Sequence, residues 1–270
     1  MSKYTFGFLG CGNMGGALAS AASLAIAANR LAVCDADSTK TDAFVKANKA
    51  VAVSVEELAK ESAYLFLAVK PQGLQKLFEQ IKETLKCRTD RFVIVSMAAG
   101  VSIETIESYA CGAYPIIRMM PNTPVAVGEG MTVYATNANA TEEDVNGFLN
   151  GLAQAGRFDR VSETLIDAAG ALSGCGPAFV YLFAEALADG GVSCGLPRDK
   201  ANEYAAQTLL GAAKMLLETG KHPGELKDAV CSPGGTTIEG VHALESSAFR
   251  AASIDAVCAA YDKTMRLKKL

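Results

Sequence analysis

No C-x-x-C pair occurs among the eight cysteines, Cys11, Cys34, Cys87, Cys111, Cys175, Cys194, Cys231 and Cys258. Their scatter excludes a zinc knuckle and a disulfide framework, so they read as free thiols of a reducing cytoplasm, with no metal site expected. Histidine is scarce as well. His222, beside Pro223, and His242, in a helical stretch, read as structural residues rather than general acids. There is no long basic run: lysine and arginine number 25 against 29 acidic residues, a net charge of −4, which argues against nucleic acid as a partner. Charge is missing altogether between Lys3 and Arg30. Such a gap suits a signal peptide or a membrane span, but Gly10, Gly12, Gly15 and Gly16 interrupt it together with Asn13. A buried strand, a turn and an Ala-rich helix account for it better, and no membrane partner is expected. Internal repeats and low-complexity linkers are absent.

What is present is 270 residues, 50% of them hydrophobic, enough for two domains that each bury a core. The first part alternates short β-branched or aromatic runs with helical stretches, the pattern of parallel strands joined by crossover helices. Strands are expected near Tyr4–Leu9, Leu31–Cys34, Tyr64–Ala68, Phe92–Ser96, Pro115–Met119, Met131–Ala135 and Arg157–Val161. Helices are expected from Met14 to about Ala28, Ser38 to Lys46, Val55 to Lys60, Leu74 to Leu85 and Glu142 to Gln154. From Glu163 onward the alternation stops, and Ala/Leu-rich segments with 3.6-residue spacing take over, broken by Gly-Pro, Leu-Pro, His-Pro-Gly and Ser-Pro-Gly-Gly. The fold class is therefore α/β, a doubly wound sheet over residues 1–161 followed by an all-helical domain over 162–270. The stretch Ala178–Ala188 carries bulky side chains on more than one face with Glu185 as its only charge, which suits a helix shared with a partner subunit better than the centre of a monomeric bundle.

Gly10-Cys11-Gly12-Asn13-Met14-Gly15 follows the first strand, which ends at Leu9, and opens a helix. In that context G-x-G-x-x-G marks a Rossmann-type dinucleotide site. The first glycine permits the tight turn, the second lets a pyrophosphate approach the backbone, and the third lets helix and strand pack closely. The helix N-terminus adds amides and positive dipole for the phosphates. Asp35 stands at the end of the second strand, where a carboxylate accepts hydrogen bonds from the adenosine ribose and favours NADH, though a solvated turn would use the same residue. Asp37 adds negative charge and no arginine stands there to hold a 2′-phosphate, while Ser38, Thr39 and Lys40 remain able to receive one. Two later strands run out into Ala68-Val69-Lys70-Pro71 and Ser96-Met97-Ala98-Ala99-Gly100. Ligands of open α/β sheets lie over the carboxyl ends of the strands, so these segments are expected on the nicotinamide side. Lys70 is either a cofactor or substrate contact or an ordinary exposed lysine before a proline.

Gly10–Gly15, Ala68–Pro71, Met120-Pro121-Asn122-Thr123-Pro124, Ser173–Ala178 and Leu226–Asp228 through Ser232-Pro233-Gly234-Gly235-Thr236-Thr237-Ile238 occur in one order along the chain. Together they resemble the pyrroline-5-carboxylate reductase family over essentially the whole sequence. The resemblance implies reduction of 1-pyrroline-5-carboxylate to L-proline, the last step of proline synthesis, with NADPH or NADH as hydride donor. It also implies an N-terminal Rossmann domain, a helical C-terminal domain interlocked into a homodimer, and dimers that commonly assemble into decamers. Ser232–Thr237 is a Gly-rich turn leading into a helix expected to start near Ile238. Backbone amides at Gly234 and Gly235 and the hydroxyls of Thr236 and Thr237 there suit the one carboxylate such a substrate carries, although a capped helix start without a ligand would look alike. By resemblance Thr237 also orients the imine and Glu163 stands near the substrate; Asn122 and Thr123, in the Pro-Asn-Thr-Pro turn, are expected to shape the cofactor pocket, although a turn between prolines would use the same residues without any ligand. The sequence departs from the family at Cys175 (usually serine), Phe179 (usually tyrosine) and Ala229 (asparagine in some members), which removes donors from the expected pocket. The enzyme alternatives of the same plan reduce a different cyclic imine or oxidise a 3-hydroxy acid, and the latter would need a mid-helix lysine, for which Lys200 and Lys214 are the candidates. A non-catalytic dinucleotide sensor would have no need of the Ser232–Thr237 turn.

Overall fold

In the computed structural model, which describes residues 2–268, the chain forms two compact units, 2–175 together with 260–268, and 176–259. The first begins with β1 (Tyr4–Leu9), α1 (Asn13–Ala22), β2 (Leu31–Cys34), α2 (Ser38–Asn48), β3 (Val51–Ala52), α3 (Val55–Glu61) and β4 (Ser62–Leu67). It continues through α4 (Leu74–Lys86), β5 (Val93–Ser96), α5 (Ile103–Ala110), β6 (Ile116–Met120), β7 (Gly130–Thr136), α6 (Glu142–Gly151), β8 (Gly156–Arg160) and α7 (Glu163–Ala169). The eight strands make one sheet in the order β3-β2-β1-β4-β5-β6-β7-β8.

Helices cover both faces, which is why the strands read as continuous apolar runs. On one face Leu65, Leu67, Ile94 and Ile116 pack with Leu58 of α3, Leu74, Phe78 and Ile81 of α4, Ile103 and Ile106 of α5, and Ile166 of α7. On the other, Phe6, Phe8, Val33, Phe66, Val95 and Ile117 pack with Leu18 of α1, Phe44 of α2 and Phe148 of α6. Phe8 and Phe66 stack with ring centroids 4.2 Å apart across the β1–β4 pair. Both neighbours of β1 run parallel to it, and the chain leaves β1 toward β2 and later returns on its other side as β4. That reversal opens a crevice at the carboxyl ends of β1 and β4.

Several expectations change. α1 stops at Ala22 rather than near Ala28: the Ser23 hydroxyl turns back to the Ser20 carbonyl at 2.7 Å, and residues 28–30 form a separate single turn. β7 runs antiparallel to β6, so the sheet is not wholly parallel. The link between them holds one short helical turn, Thr123–Val127, too brief for a crossover. α5 and the two-residue β3 are elements the alternation of apolar runs did not reveal. By internal packing the first unit runs on to Cys175, since α7 packs on the sheet through Ile166, which is fully buried.

After a π-helical segment, Gly170–Gly174, the second unit is helical: α8 (Gly176–Ser193), α9 (Arg198–Thr219), α10 (Pro223–Ala229), α11 (Thr236–Ser246) and α12 (Phe249–Leu267), whose end from Ala260 belongs to the first unit. The run Glu163–Ser193 is long and apolar enough, by length and composition, to cross a membrane. Within this single chain Val180, Tyr181, Leu182 and Leu187 of α8 are exposed.

α6 starts with a reciprocal cap, in which Thr141 Oγ1 accepts from the Asp144 amide at 3.3 Å and Asp144 Oδ2 accepts from the Thr141 amide at 2.7 Å. Since such a cap contributes about 1 kcal/mol, Thr141→Ala should lower the thermal midpoint by calorimetry with catalysis intact. An unchanged midpoint would mean that Asp144 and solvent satisfy the first turn unaided.

Candidate active site

The crevice between the ends of β1 and β4 is a groove of about 660 Å³. One wall is Leu9, Gly10, Gly12, Cys34, Asp35, Ala36 and Lys40. The other is Ala68, Val69, Lys70 and Gly73 with Lys76, Leu77 and Gln80, which share one face of α4. The Gly10 amide donates to the Cys34 carbonyl at 2.7 Å with φ at +115°, and a Cβ on Gly10 would stand 2.5 Å from the Ala68 carbonyl oxygen. A Cβ on Gly15 would stand 2.7 Å from that of Ala68. Only glycine lets the turn and the head of α1 come this close to β4. Gly12 differs, since nothing lies within 4 Å of where its Cβ would be. It is the N-cap of α1 and offers no side chain to the helix amides, so the first-turn N–H groups of Asn13, Met14 and Gly15 remain available to an anion. The glycine cradle, the open side at Gly12 and the uncapped helix fit a dinucleotide pyrophosphate.

Asp35 lies in the groove as expected, but its carboxylate already braces the turn: Oδ2 accepts from the Cys11 amide at 2.7 Å and Oδ1 from the Asp37 amide at 2.9 Å. Each oxygen keeps a lone pair for a ribose hydroxyl. The half-buried Cys11 thiol is pushed up to about 11, by burial first and then by the Asp35 charge, which makes it a poor nucleophile at neutral pH. Lys70 is exposed on the groove wall, and Pro71 starts the turn after it. Beyond β5, Met97 and the buried Ala98 pack into the sheet's two faces, Ala99 is exposed, and Gly100 takes φ +76°.

Asn122 is buried and its amide is spent inside the protein: Nδ2 donates to the Ser173 carbonyl at 3.0 Å and Oδ1 accepts from the Met131 amide at 2.9 Å. It ties the end of β6 to the π-helical segment and the start of β7. Glu163 Oε1 accepts from the Ile103 amide at 2.7 Å and from Arg118 Nη1 at 2.9 Å. Arg118 and its second partner, Asp167, went unnoticed in the sequence. The signal was there, because Arg118 is a lone charge in Ile-Ile-Arg-Met-Met, and Glu163 and Asp167 are four residues apart on one helix face.

In the second unit, Ser232–Gly235 closes a turn in which the Gly235 amide donates to the Ser232 carbonyl at 3.0 Å and Gly234 takes φ +64°. α11 starts at Thr236, two residues before the expected Ile238, because Gly235 is already extended and serves as the N-cap. Thr236 and Thr237 thus occupy the exposed first turn of a helix without a side-chain cap. His222 caps α10, with Nδ1 accepting from the Gly224 amide at 3.1 Å. Lys200 and Lys214 are exposed and pair along α9 with Glu203 and Glu218, so neither is held as a buried acid or base. Ala229 lines an apolar groove with Met215, Leu216, Leu226 and Val230.

Residues 163–267 match the family model described as pyrroline-5-carboxylate reductase dimerisation, and residues 5–100 match one described as NADP oxidoreductase, coenzyme F420-dependent. A pyrroline-5-carboxylate reductase of Pisum sativum is 41% identical over 267 residues, covering 98% of this chain and 96% of that one. The crystal structure of a Plasmodium falciparum pyrroline carboxylate reductase with NADP bound superposes with a TM-score of 0.86 at 32% identity, covering 99% of each chain. That of a Coxiella burnetii pyrroline-5-carboxylate reductase gives 0.89 at 31% identity, covering 99% of this chain and 100% of the other. With the glycine turn, the crossed sheet and the helical second unit in place from end to end, the chain belongs to the pyrroline-5-carboxylate reductase family.

Proposed function

We propose that this chain reduces 1-pyrroline-5-carboxylate to L-proline with NADPH or NADH, the last step of proline biosynthesis. The observation that carries the reading is the uncapped, glycine-built turn at Gly235–Thr237 in a chain that matches reductases of this name over its whole length. The substrate brings one carboxylate and one C=N bond. Exposed first-turn amides and the Thr236 hydroxyl of α11 hold the carboxylate, where the helix dipole favours negative charge. The Thr237 hydroxyl orients the ring nitrogen.

When bound, the dinucleotide supplies a hydride from C4 of its dihydronicotinamide ring. The chain contributes position. Amides of Asn13, Met14 and Gly15 hold the pyrophosphate over Gly12, Leu9, Gly10 and Cys11 form the floor, and Asp35 accepts from the adenosine ribose. Ala68, Val69, Lys70 and Pro71 flank the cofactor on one side, and Met97, Ala98 and Ala99 wall the nicotinamide; Asn122 supports that wall through Ser173 and Met131. The imine is most electrophilic as the iminium, so binding the protonated form and excluding water suffice, and no cysteine or serine nucleophile is needed. A second copy of the chain covers α8, whose exposed Tyr181 and Leu182 otherwise face water, and dimers assemble further into decamers. The eight free thiols suit a cytoplasmic location.

Mixing purified protein with 1-pyrroline-5-carboxylate and either nucleotide should consume nicotinamide absorbance and form proline; no turnover by folded protein rejects the reading. Asp35 and Asp37 oppose a 2′-phosphate, so the NADH-to-NADPH ratio of kcat/KM should be above that of a typical relative, and a clear NADPH preference contradicts this. Gly12→Ala fits the fold but fills the pyrophosphate side. It should raise KM for the nucleotide about tenfold, roughly 1.4 kcal/mol, at an unchanged thermal midpoint, whereas Gly15→Ala meets Ala68 and should lower the midpoint. Thr237→Ala should lower kcat/KM with the fold intact, and unchanged kinetics would remove Thr237 from the site.

A further inference from the structure

Beside the end of β5, where Arg118 is in register with Ser96, lies a cluster of four charges. Arg118, 1% exposed, donates from Nη1 to Glu163 and from Nη2 to Asp167 Oδ1 at 2.7 Å, and Asp167, 2% exposed, also pairs with Lys268 near the chain's end. Two cations meet two carboxylates, so the group is neutral, while Arg118 Nε remains buried without a partner among the described residues. A guanidinium removed from water costs several kcal/mol unless its partners are well placed, so the cluster holds its members in one geometry.

Its contacts converge on a single loop, Met97–Ser102. At the loop's start, Ser96 is the ladder partner of Arg118. At its end, the Ile103 amide donates to the same Glu163 oxygen that receives Arg118. In its middle, Gly100 lies against the stem of Lys268, with Cγ 3.5 Å from where a Cβ would sit. The loop thus leaves the carboxyl end of a central strand, where an open α/β sheet places its ligand.

The geometry points to Glu163, Arg118, Asp167 and Lys268 as positioning residues that set the nicotinamide wall for hydride transfer, with Glu163 acting through the Ile103 amide rather than on the substrate. This rests on the reductase reading above. A hydride donor displaced by a fraction of an ångström loses rate while the affinity set elsewhere survives, because reaction demands a narrower geometry than binding does. The role therefore has a kinetic signature that stability alone lacks.

The test compares Glu163→Ala with Glu163→Gln, and Lys268→Met as a variant at the cluster's partly exposed side. Alanine frees both Ile103 and Arg118, and should lower kcat at least tenfold while KM for 1-pyrroline-5-carboxylate stays within twofold. Glutamine keeps an oxygen that accepts from both donors, and should recover kcat to within about threefold of the native enzyme. Lys268→Met should lower kcat in the same sense by severalfold, which keeps the test decisive if the alanine variant fails to fold. Emission of bound NADH, which reports the surroundings of the dihydronicotinamide ring without any imine present, should shift in Glu163→Ala and Lys268→Met and return in Glu163→Gln. A tenfold rise in KM for the imine at native kcat would make Glu163 a substrate contact and overturn the inference. So would a lowered thermal midpoint with native kcat and native NADH emission. If the native protein reduces no 1-pyrroline-5-carboxylate, the reductase reading fails, and the NADH emission series still decides whether the cluster sets the loop.

Discussion

A guanidinium buried in the face of a sheet cannot be left alone, and Arg118 imposes that condition on the first unit. Its strand neighbours Ile116 and Ile117 are fully buried apolar residues, so nothing local offers a countercharge. The two carboxylates come from α7, 45 and 49 residues further on, set one helical turn apart so that both reach the same guanidinium. Satisfying Arg118 therefore docks α7 on the sheet beside Ile166, and Asp167 in turn draws in Lys268. This explains why a unit whose strands finish at Arg160 nevertheless extends to Cys175 and takes in residues 260–268. Removing one partner of such a pair costs about 3–5 kcal/mol because the other charge stays buried.

The second condition is steric. The turn after β1 passes so close to the Ala68 carbonyl that neither Gly10 nor Gly15 can carry a side chain, and this closeness brings the amides of α1 to the rim of the groove. Gly12 is free of that constraint and faces open space. Two glycines thus serve the fold and one leaves room for a ligand, a division of labour that the spacing G-x-G-x-x-G alone does not express. Asp35 belongs to both sides of it, since its oxygens brace the turn through Cys11 while lining the groove that the turn creates.

The doubly wound sheet was legible because strands covered on both faces appear as short apolar runs of distinctive composition, and the glycine turn because its residues fall at fixed offsets between strand and helix. Strand direction was not legible. Met131–Ala135 alternates identically whichever way it runs, and only the shortness of the link through Thr123–Val127 distinguishes an antiparallel return from a crossover. α5 was hidden between two strong strands, although Ser102 caps it by accepting from the Thr105 amide at 3.1 Å. The early start of α11 escaped because Gly235 caps by conformation rather than by a side-chain oxygen. Arg118 is a lone charge in an apolar strand, but its partners lie 45 and 49 residues away, too far for helix or strand periodicity to join them. The family motif marked Glu163, but its hydrogen bonds to Ile103 and Arg118 join segments 60 and 45 residues apart, beyond any local pattern.

The second unit carries its own constraint, which is a shortage of interior. Its buried apolar cluster consists of Ala188, Ala201 and Ala205 with Val192 packed against it, while Tyr181, Leu182, Leu210, Leu217 and Ile254 lie exposed in the single chain. Fully burying one leucine or isoleucine is worth about 1.5–3 kcal/mol, and three alanines cannot offset the ordering of so many helical residues. The missing interior is the surface of a second copy, consistent with the description of the family model that matches residues 163–267. The same unit carries the uncapped first turn of α11, a helix that buries none of its residues in the single chain. The first unit, with an apolar cluster on each face of its sheet, has no such shortage.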